Sequence, residues 1–183
     1  DRAAYGRLSK LITLGRRRAP KGECAIARAD LFDHGEGQRV IALPPAQKNP
    51  VAVFAAHLDA LAHRFPTRSY LAAHHLCRGD DAYRLRRLAA VAEETGTPLV
   101  AANDVLFHLP ERRDVHDVLT AIREHCTVDE AGRRLAANAE RHLKSPAEMA
   151  RLFHRHPGAI ARTVEIADAC RFSLDELRYE YPD

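Results

Sequence analysis

The 183-residue chain has no tryptophan and a single methionine, and aromatic residues make up only 6% of it. Its core must therefore be mostly aliphatic, and a hydrophobic content of 46% is enough for one. Cysteine is sparse and scattered. Cys24, Cys77, Cys126 and Cys170 form no CxxC unit, so the spacing of a zinc ribbon is missing. With no secretory signal in view, this usage fits a reducing cytoplasm. No apolar run approaches the roughly 20 residues that a membrane helix needs, so no membrane partner is expected. Neither sign of charge dominates: Lys and Arg total 28 against 25 Asp and Glu, for a net charge of +3. So small an excess does not by itself argue for a nucleic-acid partner.

Several catalytic signatures are also missing. No cluster of glycines precedes a helix, which excludes a phosphate-binding loop. GxSxG and HExxH are absent; Glu124-His125 has no second histidine at the required spacing. No histidine is placed by sequence beside a cysteine nucleophile. The chain also begins without methionine, on residues that read as the middle of a helix, so the expectation is a piece of a longer protein.

What is present reads as alternating strands and helices. Tyr5, Leu8, Leu11, Ile12 and Leu14 have helical spacing, with Gly15 as the expected terminator. The basic run Arg16-Arg17-Arg18 follows. It has two readings: a contact for phosphates, or a solvated loop that complements the carboxyl end of the helix. The glycines of residues 33 to 37 predict a turn and Arg39 to Leu43 a short strand, followed by a connection stiffened by Pro44, Pro45 and Pro50. A helix is expected over residues 51 to 64, with His57 and His63 on its surface.

Residues 69 to 76 predict a second strand, and Asp80-Asp81 opens a helix that Gly96 ends. Pro98 to Ala102 is the next strand. Strand, helix and strand joined this closely form a parallel, right-handed unit, so the class is α/β. A further helix spans residues 115 to 125, with Val118, Leu119 and Ile122 as its apolar side. Beyond Cys126 only helices are expected, announced by capping patterns at Thr127 to Glu130, Ser145 to Glu148 and Ser173 to Glu176. The division falls between an α/β part, residues 1 to 126, and a helical part, residues 127 to 183.

Candidate metal ligands stand at the strand ends: His74 or His75, Asp104, and His108. Only one of His74 and His75 can face a site, because neighbours on a strand point to opposite faces. Such a scattered set suits a metal-dependent phosphoesterase, in which metal ions hold a phosphate and activate water.

Four stretches carry a resemblance to a known family: Leu11 to Glu23 (LITLGRRRAPKGE), Pro98 to Val105 (PLVAANDV), Val115 to Asp129 (VHDVLTAIREHCTVD) and Leu152 to Pro182, with HPGAIARTVEIADACRFSLDELRYEYP. Together they make the chain resemble the N-terminal region of bacterial C-family DNA polymerases, of the DNA polymerase III α-subunit type and nearest the error-prone branch used in damage-induced mutagenesis and translesion synthesis. The resemblance implies the later part of a distorted β/α barrel, the polymerase and histidinol phosphatase (PHP) domain. A helical segment leading to the polymerase palm would follow. Strands carrying an HxH ligand pair would precede Asp1. It also implies Mg²⁺ at the polymerase's own palm, DNA as partner, and possible contacts with accessory polymerase proteins.

Metal-binding members of that family read Asn-Asp-x-His after the strand, whereas this chain reads Asn103-Asp104-Val105-Leu106. Glutamate is common in the strand corresponding to Tyr70-Leu71-Ala72, and here Ala72 and Ala73 stand there. Asp104 is thus the one metal ligand carried over. The expectation is a structural PHP scaffold, Arg16 to Arg18 being its candidate nucleic-acid contact. The alternative is a metal-dependent phosphoesterase or 3′–5′ exonuclease.

Overall fold

A computed structural model of the protein describes residues 1–45 and 51–178. Its centre is a three-stranded parallel sheet in the order β1-β2-β3, formed by Val40–Ala42, Ser69–His74 and Leu99–Ala102. Pairing runs from Val40 opposite Ser69 to Ala42 opposite Leu71, and from Leu71 opposite Leu99 to His74 opposite Ala102. The register sets the carboxyl ends of β2 and β3 side by side. The expected α/β class holds. Among the described residues the sheet is open rather than closed into a barrel.

The central residues of β2 and β3 are apolar and buried on both faces, as in strands of a parallel sheet. Leu71 and Ala73 of β2 pack with Leu99 and Ala101 of β3. Around them lie Leu58 of α3 (Val51–Arg64) and Leu85, Val91 and Ala92 of α4 (Asp81–Glu94). Gly96, at φ +63°, turns the chain from α4 into β3. The connecting segment of residues 46–50, with Pro50, lies outside the described residues.

The amino-terminal residues form two helices, α1 (Arg2–Arg17) and α2 (Arg28–His34). Asp1 caps α1 by accepting from the Ala4 N–H at 2.8 Å. Two expectations are corrected here. Gly15 does not end α1 but lies buried within it. A Cβ there would stand 2.6 Å from Ile26 Cγ1 and 2.7 Å from Cys24 Sγ, so glycine is needed for close approach. Asp33 and His34, read as part of a turn, end α2 instead.

After β3 come a 3₁₀ turn at Pro110–Arg112 and α5 (Arg113–Arg123). The short α6 (Val128–Ala131) begins with the expected capping box between Thr127 and Glu130. α7 (Pro146–Leu152) and α8 (Pro157–Ala169) follow, each with proline in its first turn. These last helices share the sheet's core: Phe153 and Ala159 are buried against it, and Arg162 Nη1 donates to the Leu99 carbonyl at 3.0 Å. No helix among the described residues is long and apolar enough to cross a membrane.

Candidate functional site

Ligands of open α/β sheets bind beyond the carboxyl ends of the strands. Here that position is crossed by the chain itself, in a strap of residues 138–144 between α6 and α7. Both strand ends turn sharply through left-handed residues, Cys77 at φ +51° after β2 and Asp104 at φ +47° after β3. Aspartate tolerates this conformation better than most residues. The strap captures the carbonyl of each. Asn138 Nδ2 donates to the carbonyls of Leu76 at 2.8 Å and Cys77 at 3.3 Å. Arg141 Nε donates to the Asp104 carbonyl at 3.0 Å.

β3 grips the strap in return. Asn103 is buried, and its Nδ2 donates to the carbonyls of Glu140 at 3.1 Å and His142 at 2.5 Å. The Leu106 N–H donates to the Arg141 carbonyl at 2.8 Å, and Phe107 pairs with His142 as an isolated parallel bridge. Lys144, with its side chain wholly buried, donates to the carbonyl and to Oε2 of Glu140, both at 2.9 Å. This ammonium is the main cause of Glu140's pKa lying below the usual carboxylate range.

The one acidic candidate is already engaged. Arg141 Nη2 donates to Asp104 Oδ2 at 2.5 Å, so one guanidinium holds both the carboxylate and the carbonyl of the same residue. His74 lies near enough to feel Asp104's charge. Burial lowers its pKa more than Asp104 raises it, and the charges of Arg141, Arg78 and Arg84 add to the lowering. The imidazole is therefore neutral at neutral pH. His75 belongs elsewhere: it lines a separate cavity of about 210 Å³ with Arg86, Leu152, His154, Arg155 and His156. His108 is exposed. Ala72 and Ala73, in the strand where a glutamate ligand would be sought, are both fully buried and offer no ligand. Among the described residues no three His, Cys, Asp or Glu side chains converge as a metal site. With the Asp104 carboxylate held by the Arg141 guanidinium, the donors as arranged here do not fit a divalent metal.

Two features were not visible in the sequence. His75 Nδ1 lies 3.9 Å from Cys77 Sγ. Burial and the nearby Glu140 carboxylate push the Cys77 thiol up, the reverse of what a nucleophilic thiolate requires. Asp81 is buried beneath the same turn, accepting from the N–H groups of Leu76 at 2.9 Å and Arg78 at 2.6 Å. No spacing rule announces either, because turn geometry creates both.

The basic run lies apart from the strand end. Arg16 and Arg17 form the exposed last turn of α1. Arg18 is tied by Nη1 to Asp30 Oδ2 at 2.6 Å, and the Ala27 N–H donates to the same oxygen at 2.8 Å. Among the described residues Arg16 and Arg17 have no ion-pair partner, while Arg18 closes the loop between α1 and α2.

No family model matches the chain. Curated relatives match it along its whole length. An error-prone DNA polymerase of Caulobacter vibrioides is 49% identical over 183 residues, all of this chain and 17% of that protein. One from a Bradyrhizobium species is 49% identical over 188 residues, again all of this chain and 16% of the relative. Along its whole length the chain is similar to one segment of error-prone DNA polymerases. Error-prone DNA polymerase 1 of Agrobacterium fabrum agrees, at 46% identity over 183 residues and 16% of its length. The chain thus spans about a sixth of the length of these relatives.

Proposed function

We propose that this chain is a structural segment of an error-prone DNA polymerase. It would be the later part of a PHP-type domain, residues 1 to 126, joined to a helical passage towards the palm, residues 127 to 183. The observation that carries this reading is the full-length similarity to error-prone DNA polymerases, at 46–49% identity over the whole chain. Damage-induced mutagenesis and translesion synthesis, DNA as substrate, accessory polymerase proteins as partners and the cytoplasm as location all follow from that parentage. Mg²⁺ would serve the parent enzyme's palm, where acidic residues outside this segment hold it for in-line nucleotidyl transfer. The role of this segment is to brace that machinery through the core shared by β2, β3 and α8. Arg16 and Arg17, without an ion-pair partner among the described residues, are its cations for a phosphate backbone, while Arg18 serves the loop.

The competing reading, a metal-dependent phosphoesterase or 3′–5′ exonuclease, requires Asp104 as a ligand, and the Arg141 pairing speaks against it. Primer extension by the complete polymerase, with and without Asp104→Asn, separates the two. The scaffold reading expects extension to persist and 3′-end trimming to be the same in both proteins. Loss of a metal-dependent trimming activity in the variant would establish the exonuclease instead.

A further inference from the structure

We infer that Arg141 is the built-in cation of the strand end: its guanidinium takes the place a divalent metal would need on Asp104, and the strap of residues 138–144 is the plug that holds it there. The inference rests on the scaffold reading and adds to it a named residue and a means by which metal is kept out.

Three observations carry it. The first is the bonding of Arg141. Its Nε and Nη2 meet the carbonyl and the carboxylate of one residue, Asp104, at 3.0 and 2.5 Å. A cation that satisfies both oxygens of a turn does what a metal ion does at such a site, with a fork of N–H donors in place of coordination bonds. The second is the anchoring of Arg141's backbone. Its carbonyl accepts from the Leu106 N–H at 2.8 Å, and the flanking carbonyls of Glu140 and His142 accept from Asn103. The guanidinium is thus delivered from a backbone fixed on both sides and does not reach across on a free arm. The third is what surrounds it. His74 lies within range of Asp104's charge, and Asn103 Oδ1 is buried without a hydrogen-bond partner. A carboxylate, an imidazole and an orphan amide oxygen thus stand at this strand end, and the cation that serves the carboxylate is Arg141.

If arginine is the resident cation, emptying its place should make the strand end responsive to metal. Thermal unfolding of the 183-residue chain, with and without Mn²⁺ or Zn²⁺, tests this. Wild type is expected to give a Tm that does not change with either ion. Arg141→Ala is expected to unfold about 2–4 °C lower, the shift that loss of one modest interaction gives in a domain of this size. Its Tm should recover in a saturable way as Mn²⁺ or Zn²⁺ is added, and adding Asp104→Ala should abolish the recovery. Should Arg141→Ala fail to fold, Arg141→Gln removes the charge while keeping a donor for the Asp104 carbonyl, and the same recovery is expected. A wild-type protein stabilised by metal through Asp104 would overturn the inference. So would charge-removing variants as indifferent to metal as wild type. Failure of the scaffold reading would appear elsewhere, as Asp104-dependent trimming of a 3′ end.

Discussion

At the carboxyl ends of β2 and β3, polar groups are paired with one another, whereas on α5, a little further along the chain, apolar side chains face water. The strand end pairs Asn103 with two strap carbonyls, Asp104 with Arg141, and Lys144 with Glu140. On α5, Leu119 and Ile122 are 59% and 65% exposed, and Val115 and Val118 are about half exposed. α/β proteins usually show the opposite arrangement, with open polar groups at the strand ends and covered apolar helix faces. The difference teaches that this strand end is built as a closed joint. The apolar surface that this chain leaves uncovered lies on a helix rather than in a cleft.

The largest effect should come from forcing the joint open. Asn103 turns its amide nitrogen to two carbonyl oxygens, which only a donor can satisfy. Asn103→Asp is nearly isosteric but sets a buried carboxylate against those same oxygens. Loss of about 3–5 kcal/mol is expected, the cost of an uncompensated buried charge, and chemical denaturation will measure it. An Asn103→Asp protein as stable as wild type would mean that the strap is only laid over the sheet.

A middling effect is expected at Asp81, beneath the β2 turn. Burial acts to raise its pKa, but the N–H donors of Leu76 and Arg78 outweigh burial, and the pKa lies below the ordinary aspartate value. A depressed folded pKa contributes stability that is complete above the unfolded value, about 3.9, and is lost as pH falls through the folded one. Asp81→Asn should therefore cost about 1–3 kcal/mol at pH 7. The gap from wild type should narrow as pH drops below about 4. A gap that is constant from pH 7 to pH 3 would show that the charge of Asp81 is irrelevant to the turn.

The contrast between joint and helix was only half legible in the sequence. β2 and β3 were readable because unbroken apolar runs between turn signals have few other solutions, and Asp104 was readable as the acid ending one of them. Its partner was not. Arg141 lies 37 residues further on, in a stretch without periodicity, and an ion pair between distant loops has no spacing to betray it. Gly15 looked like a terminator because glycine often is one; its true neighbours, Cys24 and Ile26, are brought close only by the return of the chain. α2 is not announced by the sequence because it is short and its N-cap residue, Ala27, has no polar side chain to cap with. For α5 the pattern of Val118, Leu119 and Ile122 correctly gave an amphipathic helix, but periodicity reports which side is apolar and not what lies against it.

That last point yields the smallest expected effect. If the apolar side of α5 contributes nothing to the fold of this chain, replacing it should leave stability almost unchanged. Ile122, at 65% exposed, is the clearest position. Ile122→Ser removes apolar surface that is mostly wet in the folded and unfolded states alike, so the transfer free energy nearly cancels. A change within about 0.5 kcal/mol is expected, as for other exposed sites. Ala121, next to it but 4% exposed, is the internal control. Ala121→Ser places a hydroxyl in a packed interior and should cost more, on the order of 1 kcal/mol. Equal losses at the two positions in urea denaturation would mean that α5 buries both sides in solution, and the contrast with the closed strand end would disappear.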